Sequence, residues 1–294
     1  MKKVCVLLFV CLLVMSLFGC AKRENNSNKV VDDLDVAAMH FEQPRGFTQV
    51  ERVCNMNADG SLIEKDINFY YGDDRSISYF VMKDNQLNDL VSSIKASILK
   101  KEGKTFYIYT SGPALVALTQ VENDTYGINY NMGTFDQELL EKIINAITFT
   151  KKEETKSDNI NFGDMTCTYV FENVYSYATR RMEDIQGNLL ECSNIWRFGE
   201  NDENQEYRFQ VSIIKNTSLE NELDSQREYE DKEINGITYK VQLNSNDESP
   251  YLYITQHGND VYKIANLGRY NGWSADRSNE SAIAFEEFLN SISF

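Results

Sequence analysis

The spacing of apolar residues along the chain predicts which segments are strands. Where apolar and polar residues alternate between clusters of Gly, Asn and Asp, a half-buried strand is expected. Six such segments lie in the first half of the chain, at 46–56, 61–71, 77–83, 105–110, 115–121 and 125–131. Six more lie in the second half, at 167–177, 188–197, 206–214, 237–243, 251–256 and 261–267. The dipeptide Asp59-Gly60 between the first two segments predicts a type I′ hairpin turn.

In the first half, apolar residues three and four positions apart predict two helices. The first would follow the third strand and is expected to end at Gly103. Its inner face would carry Leu87, Leu90, Val91, Ile94, Ile98 and Leu99. The second would start at a capping box formed by Thr134 and Gln137 and would bury Leu140, Ile143, Ile144 and Ile147.

The second half shows the same order of elements. The capping pair Thr217 and Glu220 starts a middle helix there. Its inner positions are polar (Glu222, Gln226 and Glu230), so we expect this helix to be exposed to solvent. The C-terminal helix would bury Phe285, Phe288, Leu289 and Ile292.

An internal repeat relates the two halves. Residues 119–128 and 255–264 share the pattern T-Q-x-x-N-D-x-Y-x-I at an offset of 136 residues, and shorter matches follow in the same order elsewhere. This period is too long for a solenoid, so it indicates a duplicated domain. Within the repeat we expect Asn-Asp to form a turn and Tyr and Ile to pack in the sheet. A ligand site that is used twice is the alternative.

These elements predict the α+β class: two tandem copies of a βββαβββα module, each an antiparallel sheet with helices on one face. The expected organisation is a signal peptide at 1–19, a polar tether at 20–40, the first module at 41–150, a linker at 151–160 and the second module at 161–294. The G-x-T-[FY] and N-D-x-Y strands, followed by an amphipathic helix, are similar to small secreted domains of uncharacterised function in bacterial lipoproteins.

The N-terminus predicts export and anchoring. Lys2 and Lys3 precede an apolar run that is too short to span a membrane, which is typical of a signal peptide. The run ends in Leu17-Phe18-Gly19-Cys20, which resembles the lipobox of bacterial lipoproteins. The resemblance implies cleavage before Cys20, lipidation of Cys20 and location on the extracytoplasmic face of the cell membrane. The alternative is an ordinary signal peptide with a coincidental cysteine.

The charge of the chain disfavours nucleic-acid binding. Without Lys2 and Lys3 of the signal peptide, 27 basic side chains face 45 acidic ones, a formal net charge of −18. Such a surface repels nucleic acid and anionic membranes.

Three cysteines remain outside the signal peptide and lipobox: Cys54, Cys167 and Cys192. An odd number, at positions that the two copies do not share, is not typical of a disulfide framework. We expect three buried free thiols, with a bridge between Cys167 and Cys192 as the alternative.

One segment resembles a calcium-binding loop. Oxygen-bearing side chains with the spacing of an EF-hand stand at Asn55, Asn57, Asp59 and Asp66, and Gly60 occupies the glycine position. The flanking residues alternate with a period of two, whereas an EF-hand requires helices. A hairpin explains the same residues, so we expect neither a metal nor a cofactor.

No catalytic signature is complete. Ser92 and Lys95, Ser97 and Lys100, and the tripeptide at 157–159 match fragments of the penicillin-binding-protein motifs, but without the expected structural context. The chain has two histidines, His40 and His257, and no zinc or triad motif. We expect no catalytic residues, although a mechanism that uses carboxylates alone stays open.

The leading hypothesis is a non-catalytic lipoprotein that binds an envelope protein or peptide and contacts membrane lipid through Cys20. The alternative is a carboxylate-dependent hydrolase, or an accessory factor, that acts on cell-wall material. A small-molecule carrier that delivers to a transporter is a third hypothesis, which duplicated antiparallel modules disfavour.

Overall fold

The computed structural model describes residues 35–72, 74–85, 87–92, 94–150, 162–170, 174–199, 206–243, 250–267 and 275–294. The predicted signal peptide, Cys20 and the linker at 151–160 lie outside these residues. The last residues of the predicted tether, 35–40, are described and form a short hairpin.

Most of the structure is one large sheet. The strands from the first half are β3 (Gln49–Asn57), β4 (Leu62–Tyr70), β5 (Ser76–Met82), β6 (Ser97–Lys101), β7 (Lys104–Ser111), β8 (Ala114–Val121) and β9 (Asp124–Asn131). Those from the second half are β12 (Val174–Asp184), β13 (Leu189–Gly199), β14 (Glu206–Ile214), β15 (Tyr229–Ile234), β16 (Ile237–Leu243), β17 (Pro250–His257) and β18 (Asp260–Asn266).

Short strands and helices complete the fold. A small sheet contains β1 (Asp35–Val36), β2 (Met39–His40) and β10 (Thr148–Phe149), and a strand pair contains β11 (Thr166–Cys167) and β19 (Ile292–Ser293). The helices are α1 (Leu87–Val91), α2 (Gln137–Ala146), α3 (Leu219–Glu222) and α4 (Ala275–Asn290). None of the helices in the described part of the chain is long and apolar enough to cross a membrane.

The fourteen strands lie in the order β15-β16-β17-β18-β14-β13-β12-β3-β4-β5-β9-β8-β7-β6. Every neighbouring pair is antiparallel. Read outwards from the central pair, β3 and β12, the order of strands is the same on both sides. The two halves of the chain therefore form one continuous sheet.

The predicted α+β class is wrong. Strands make up 55% of the structure and helices 14%, and one fourteen-stranded sheet replaces the two separate βββαβββα modules. Each half of the sheet has seven strands where the sequence predicted six, because the segments after α1 and α3 contain the extra strands β6 and β15.

The predicted middle helix of the first half ends early. Helix α1 stops at Val91, and β6 occupies the region that was expected to continue the helix. Leu99 packs against the core while the neighbouring Ile98 is 62% exposed, so the period in this region is two. The turn to β7 explains the strand: Glu102 and Gly103 both have positive φ, as a type I′ hairpin requires.

The predicted turn and cap details also change. Asp59-Gly60 does join β3 to β4, but only Gly60 of the two has a positive φ, so the turn is not type I′. Helix α2 is capped by Asp136, whose side chain accepts from the Leu139 N–H, and not by Thr134. Ser218 precedes α3 and makes no side-chain cap. Of these three details, only the presence of a hairpin at Asp59-Gly60 was predicted correctly.

The two large hydrophobic cores lie on the same face of the large sheet, which we call the core face; a small third cluster of Leu87, Val116 and Leu118 lies on the other face. The first packs Leu140, Ile144 and Ile147 onto apolar side chains of β3 to β9. The second packs Phe285, Phe288, Leu289 and Ile292 onto β13 to β18. These buried stripes were predicted correctly, except that Ile143 is half-buried. The opposite side of the sheet is called the second face.

The repeated motif anchors the segment before each short helix. Asp124 is the first residue of β9; its carboxylate accepts from Lys83 Nζ at 2.6 Å and from the Asp84 N–H at 3.1 Å. Asp260 is the first residue of β18 and accepts in the same way from Lys215 Nζ and the Asn216 N–H. Of the expected Asn-Asp turns, Asn123 and Asn259 do lie in the turns, whereas each Asp is the first residue of the following strand.

The other repeated residues are also structural. Gln120 and Gln256 each accept from a helix N–H, that of Leu87 and Leu219 respectively. The repeated Tyr and Ile are buried, as predicted; they are Tyr126, Ile128, Tyr262 and Ile264.

We expect Asp124→Ala and Asp260→Ala each to lower the free energy of unfolding by about 1–3 kcal/mol, because a cation and a backbone N–H lose their acceptor. Urea denaturation followed by circular dichroism measures the change. Glu233→Ala, at an exposed position of β15, is the control and should change stability by less than about 0.5 kcal/mol. Equal effects of all three substitutions would show that the repeated aspartates do not anchor the fold.

Candidate functional site

Charged side chains concentrate where β3 of the first half pairs with β12 of the second. The pairing joins nine residue pairs, from Gln49 opposite Asp184 to Asn57 opposite Ser176. Both strands carry charges at successive positions, which therefore point to opposite faces. A charged side chain on a partly buried strand needs a partner of opposite charge or a hydrogen bond. The partners are arranged differently on the two faces of the sheet.

On the core face the charges form a compact ion pair between the two cores. Arg52 Nη1 donates to Glu183 Oε2 at 2.8 Å, and Arg181 Nε donates to Glu183 Oε1 at 2.7 Å. Burial raises the pKa of Glu183, but the hydrogen bond and charge of Arg52, together with those of Arg181, outweigh burial and hold the pKa below its ordinary value. This cluster is internally satisfied and fastens the junction.

On the second face the charges extend over four strands. Glu51, which is buried, accepts from Tyr70 Oη at 2.5 Å, from Asn68 Nδ2 at 3.0 Å and from Arg180 Nε. Arg180 also donates through Nη1 to Glu191 Oε1 at 2.8 Å. We call this row, with the neighbouring Glu64, Asp66 and Arg197, the junction band.

Within the junction band, Asp66 is the carboxyl group whose ionised form is disfavoured. Burial, and then the negative charges of Glu64 and Glu51, raise its pKa to about 7. Glu51 behaves in the opposite way: burial raises its pKa, but hydrogen bonds from Tyr70 and Arg180 and the Arg180 charge outweigh burial and lower it. Two carboxyl groups on adjacent strands thus differ in protonation near neutral pH.

The other end of the band is positive. Burial and the charge of Arg208 lower the pKa of Arg197, and the charge of Glu64 partly opposes them. Glu64 lies on β4 and Arg197 on β13, with β3 and β12 between them, so their interaction spans the junction. The band therefore carries excess negative charge on the first half and excess positive charge on the second.

A raised and a lowered carboxyl pKa side by side is a pattern that acid–base enzymes use. Here Glu51 already accepts from three donors, so its oxygens are engaged in the fold and not free to activate water. The band is better suited to holding a ligand that carries charge of both signs.

The residues of the calcium hypothesis do not form a loop between helices. Asn55 and Asn57 lie on β3 and Asp66 lies on β4, where the strands pair directly. Across the described residues, no group of three or more His, Cys, Asp or Glu side chains is arranged to hold a metal ion.

The serine fragments fall in unrelated places. Ser97 and Lys100 lie on β6, whereas Ser92 and Lys95 lie in the segment between α1 and β6. Residues 157–159 are outside the described residues. The two histidines are far apart in the fold: His40 pairs with Asp35 at 2.7 Å, and the His257 ring stacks on Phe294 at 4.8 Å.

Within the described residues, Cys54, Cys167 and Cys192 form no disulfide, so no bridge joins Cys167 to Cys192. Only Cys192 is buried; Cys54 is half-buried and Cys167 is exposed, so the prediction of three buried thiols is wrong for two of them. Burial raises the pKa of the Cys192 thiol to about 11, which keeps it unreactive.

A shallow cleft beside His257 is a weaker candidate. Its lining includes Thr255 and Gln256, whose polar groups are already used inside the protein. Thr255 Oγ1 donates to the Thr238 carbonyl at 2.8 Å, and Gln256 bonds the Leu219 N–H and the Gly258 carbonyl. These two side chains are therefore engaged within the protein and not placed to bind a ligand.

The junction band was not predicted from the sequence. The signal was present as runs of adjacent charges, Glu51-Arg52 and Arg180-Arg181, inside segments that end up in strands. In a strand with one solvated face, charges at successive positions are unexpected, because one of them must face the core side.

Comparisons with known proteins do not assign a family. No protein-family model matches the chain, and no curated protein matches it. One similar solved structure is the immunity protein TplEi of T6SS from Pseudomonas aeruginosa complexed with "L" peptide, at 10% identity and a TM-score of 0.24, covering 87% of this chain and 95% of that one. Another is MucB in complex with MucA(peri), at 9% identity and a TM-score of 0.19, covering 85% and 93%. Both TM-scores are too low to show a shared fold.

We expect Asp66→Asn to make the protein more stable at high pH. The ordinary Asp pKa is 3.8, and the folded value is about 7. The folded state therefore binds a proton that the unfolded chain releases, and wild-type stability falls as pH rises through this window. At pH 8 the variant should gain about 1–3 kcal/mol, allowing for solvent screening, and the gain should shrink towards pH 4.

Urea denaturation at several pH values between 4 and 8 measures this difference. Asp74→Asn, at an exposed position, is the matched control for loss of one negative charge. A constant difference between Asp66→Asn and wild type across the series would contradict the assignment of a raised pKa to Asp66.

Proposed function

We propose that this protein is a lipoprotein anchored to the extracytoplasmic face of the cell membrane, and that it binds a polypeptide segment of another envelope protein at the junction band. The observation that carries the binding proposal is the position of the band. Helices α2 and α4 pack on the core face, so neither covers Glu64, Asp66 or Arg197 on the second face.

The charge distribution favours a polypeptide as the ligand. The first half contributes Glu51, Glu64 and Asp66. The second half contributes Arg180 and Arg197 together with one carboxylate, Glu191. A cationic side chain placed beside Asp66 would relieve the repulsion among the three carboxylates. A chain that also carries an acidic residue could meet Arg197 at the same time.

We also propose that the two halves are copies of one module, 41–150 and 161–294, joined by a linker. The identical strand order on both sides of the junction and the matched Asp124 and Asp260 contacts support this. Under this proposal the binding site lies across the two copies, and each copy alone holds only part of it.

The binding site is tested with peptides selected from a random library on the full-length, detergent-solubilised protein. The double variant Glu64→Arg with Arg197→Glu reverses the band while keeping one charge of each sign. We expect it to bind the selected peptides at least about tenfold more weakly, because charges that attracted the ligand now repel it. Fluorescence anisotropy measures the affinity.

Lys142→Glu, at an exposed position on α2, is the control and should leave the affinity unchanged. Failure to enrich any peptide, or equal affinity for wild type and the double variant, would refute binding at the junction band.

The anchor is tested by metabolic labelling with an alkyne fatty acid. Wild-type protein should be labelled and should sediment with the membrane fraction, and Cys20→Ala should lose both properties because no acceptor for the acyl chains remains. Cys5→Ala and Cys11→Ala, inside the predicted signal peptide, are the matched controls. Labelling of Cys20→Ala at the wild-type level would exclude Cys20 as the lipidation site.

A further inference from the structure

The two outermost strands of the large sheet, β6 and β15, differ in charge. Each has a neighbouring strand on one side only within the described sheet, so the backbone groups on its other side are available. Such an edge pairs with another extended chain unless its side chains prevent it.

Strand β6 presents a basic and partly apolar edge. Lys100 is exposed and Ile98 is 62% exposed. The neighbouring Lys101 uses its Nζ to bind the carbonyl groups at the end of α2, including those of Ile144 and Asn145. Ile98 is β-branched, and pairing of β6 with another strand would cover its exposed side chain. Its exposure therefore favours strand pairing.

Strand β15 presents an acidic edge. Glu230, Asp231 and Glu233 are exposed, and Lys240 Nζ bonds Asp231 at 2.7 Å from the neighbouring strand. Like charges on facing strands repel and opposite charges attract. Two β6 edges therefore repel each other, as do two β15 edges, whereas β6 of one molecule attracts β15 of another.

The geometry of the sheet permits this pairing. With fourteen strands, all antiparallel, the two edge strands run in opposite directions, so a second copy in the same orientation presents β15 antiparallel to β6. When Lys100 is set opposite Asp231, Lys101 stands opposite Glu230. The strand registers place Lys100 and Asp231 both on the second face, so the core faces of the two copies also align.

We propose that copies of this protein associate head to tail, with β6 of one molecule pairing with β15 of the next. The contact is heterologous, so it leaves one free edge of each kind and allows further copies to add.

Sedimentation velocity of the full-length protein in detergent, over a hundredfold range of concentration at physiological ionic strength, tests the proposal. The wild-type sedimentation coefficient should rise with concentration. Lys100→Glu removes the net positive charge of β6 and places a carboxylate opposite Asp231, and Glu230→Lys with Glu233→Lys makes both edges basic. Each variant alone should stay monomeric, and an equimolar mixture of the two should recover the association.

The controls are Lys142→Glu and the pair Glu138→Lys with Glu287→Lys, which change the same charges on exposed positions of α2 and α4. These should associate like wild type. Circular dichroism of every variant checks that the fold is retained. A wild-type coefficient that is independent of concentration, or a mixture that stays monomeric, would overturn head-to-tail pairing.

Discussion

The antiparallel pairing of β3 with β12 is the interaction on which the rest of the structure depends. It joins two seven-stranded half-sheets into one, and it places both hydrophobic cores on the same face. Ion pairs reinforce it on both sides, Arg52 with Glu183 on the core face and Glu51 with Arg180 on the second face. The same pairing places the first half and the second half in contact and leaves β6 and β15 at opposite ends.

The two halves are built in the same way but differ in charge. Matched aspartates, Asp124 and Asp260, hold the segment before each short helix, and matched aromatic and aliphatic residues fill each core. The differences lie at the junction and at the edges, where acidic and basic residues separate. A stable framework carries these charges, and Asp66 is left in a position that disfavours its ionised form. Local conflict of this kind is expected at functional positions.

Much of the strand pattern could be predicted, because an alternating strand with one buried face is visible within a short window. The predicted strand at 167–177 was misplaced, because the observed strand covers Val174–Asp184. The prediction was also wrong at 94–99, where a short apolar run fits both a helix and a strand. Glu102 and Gly103 both have positive φ and form a hairpin turn. This turn pairs the preceding residues with β7, so they form the strand β6 and not a helix. Asn235 and Gly236 form a type I′ turn that pairs β15 with β16 in the same way. The Asn-Gly dipeptide is a hairpin signal, so β15 could have been predicted from the sequence.

The sequence by itself determined the strands of the two cores, the buried stripes of α2 and α4, and the internal repeat, since all three depend on the spacing of side chains along the chain. Only the tertiary structure decided that the two halves share one sheet. Backbone hydrogen bonds join β3 to β12, more than a hundred residues apart, and these bonds are the same for any side chain. For that reason the junction band, which lies across this pairing, became visible only after folding.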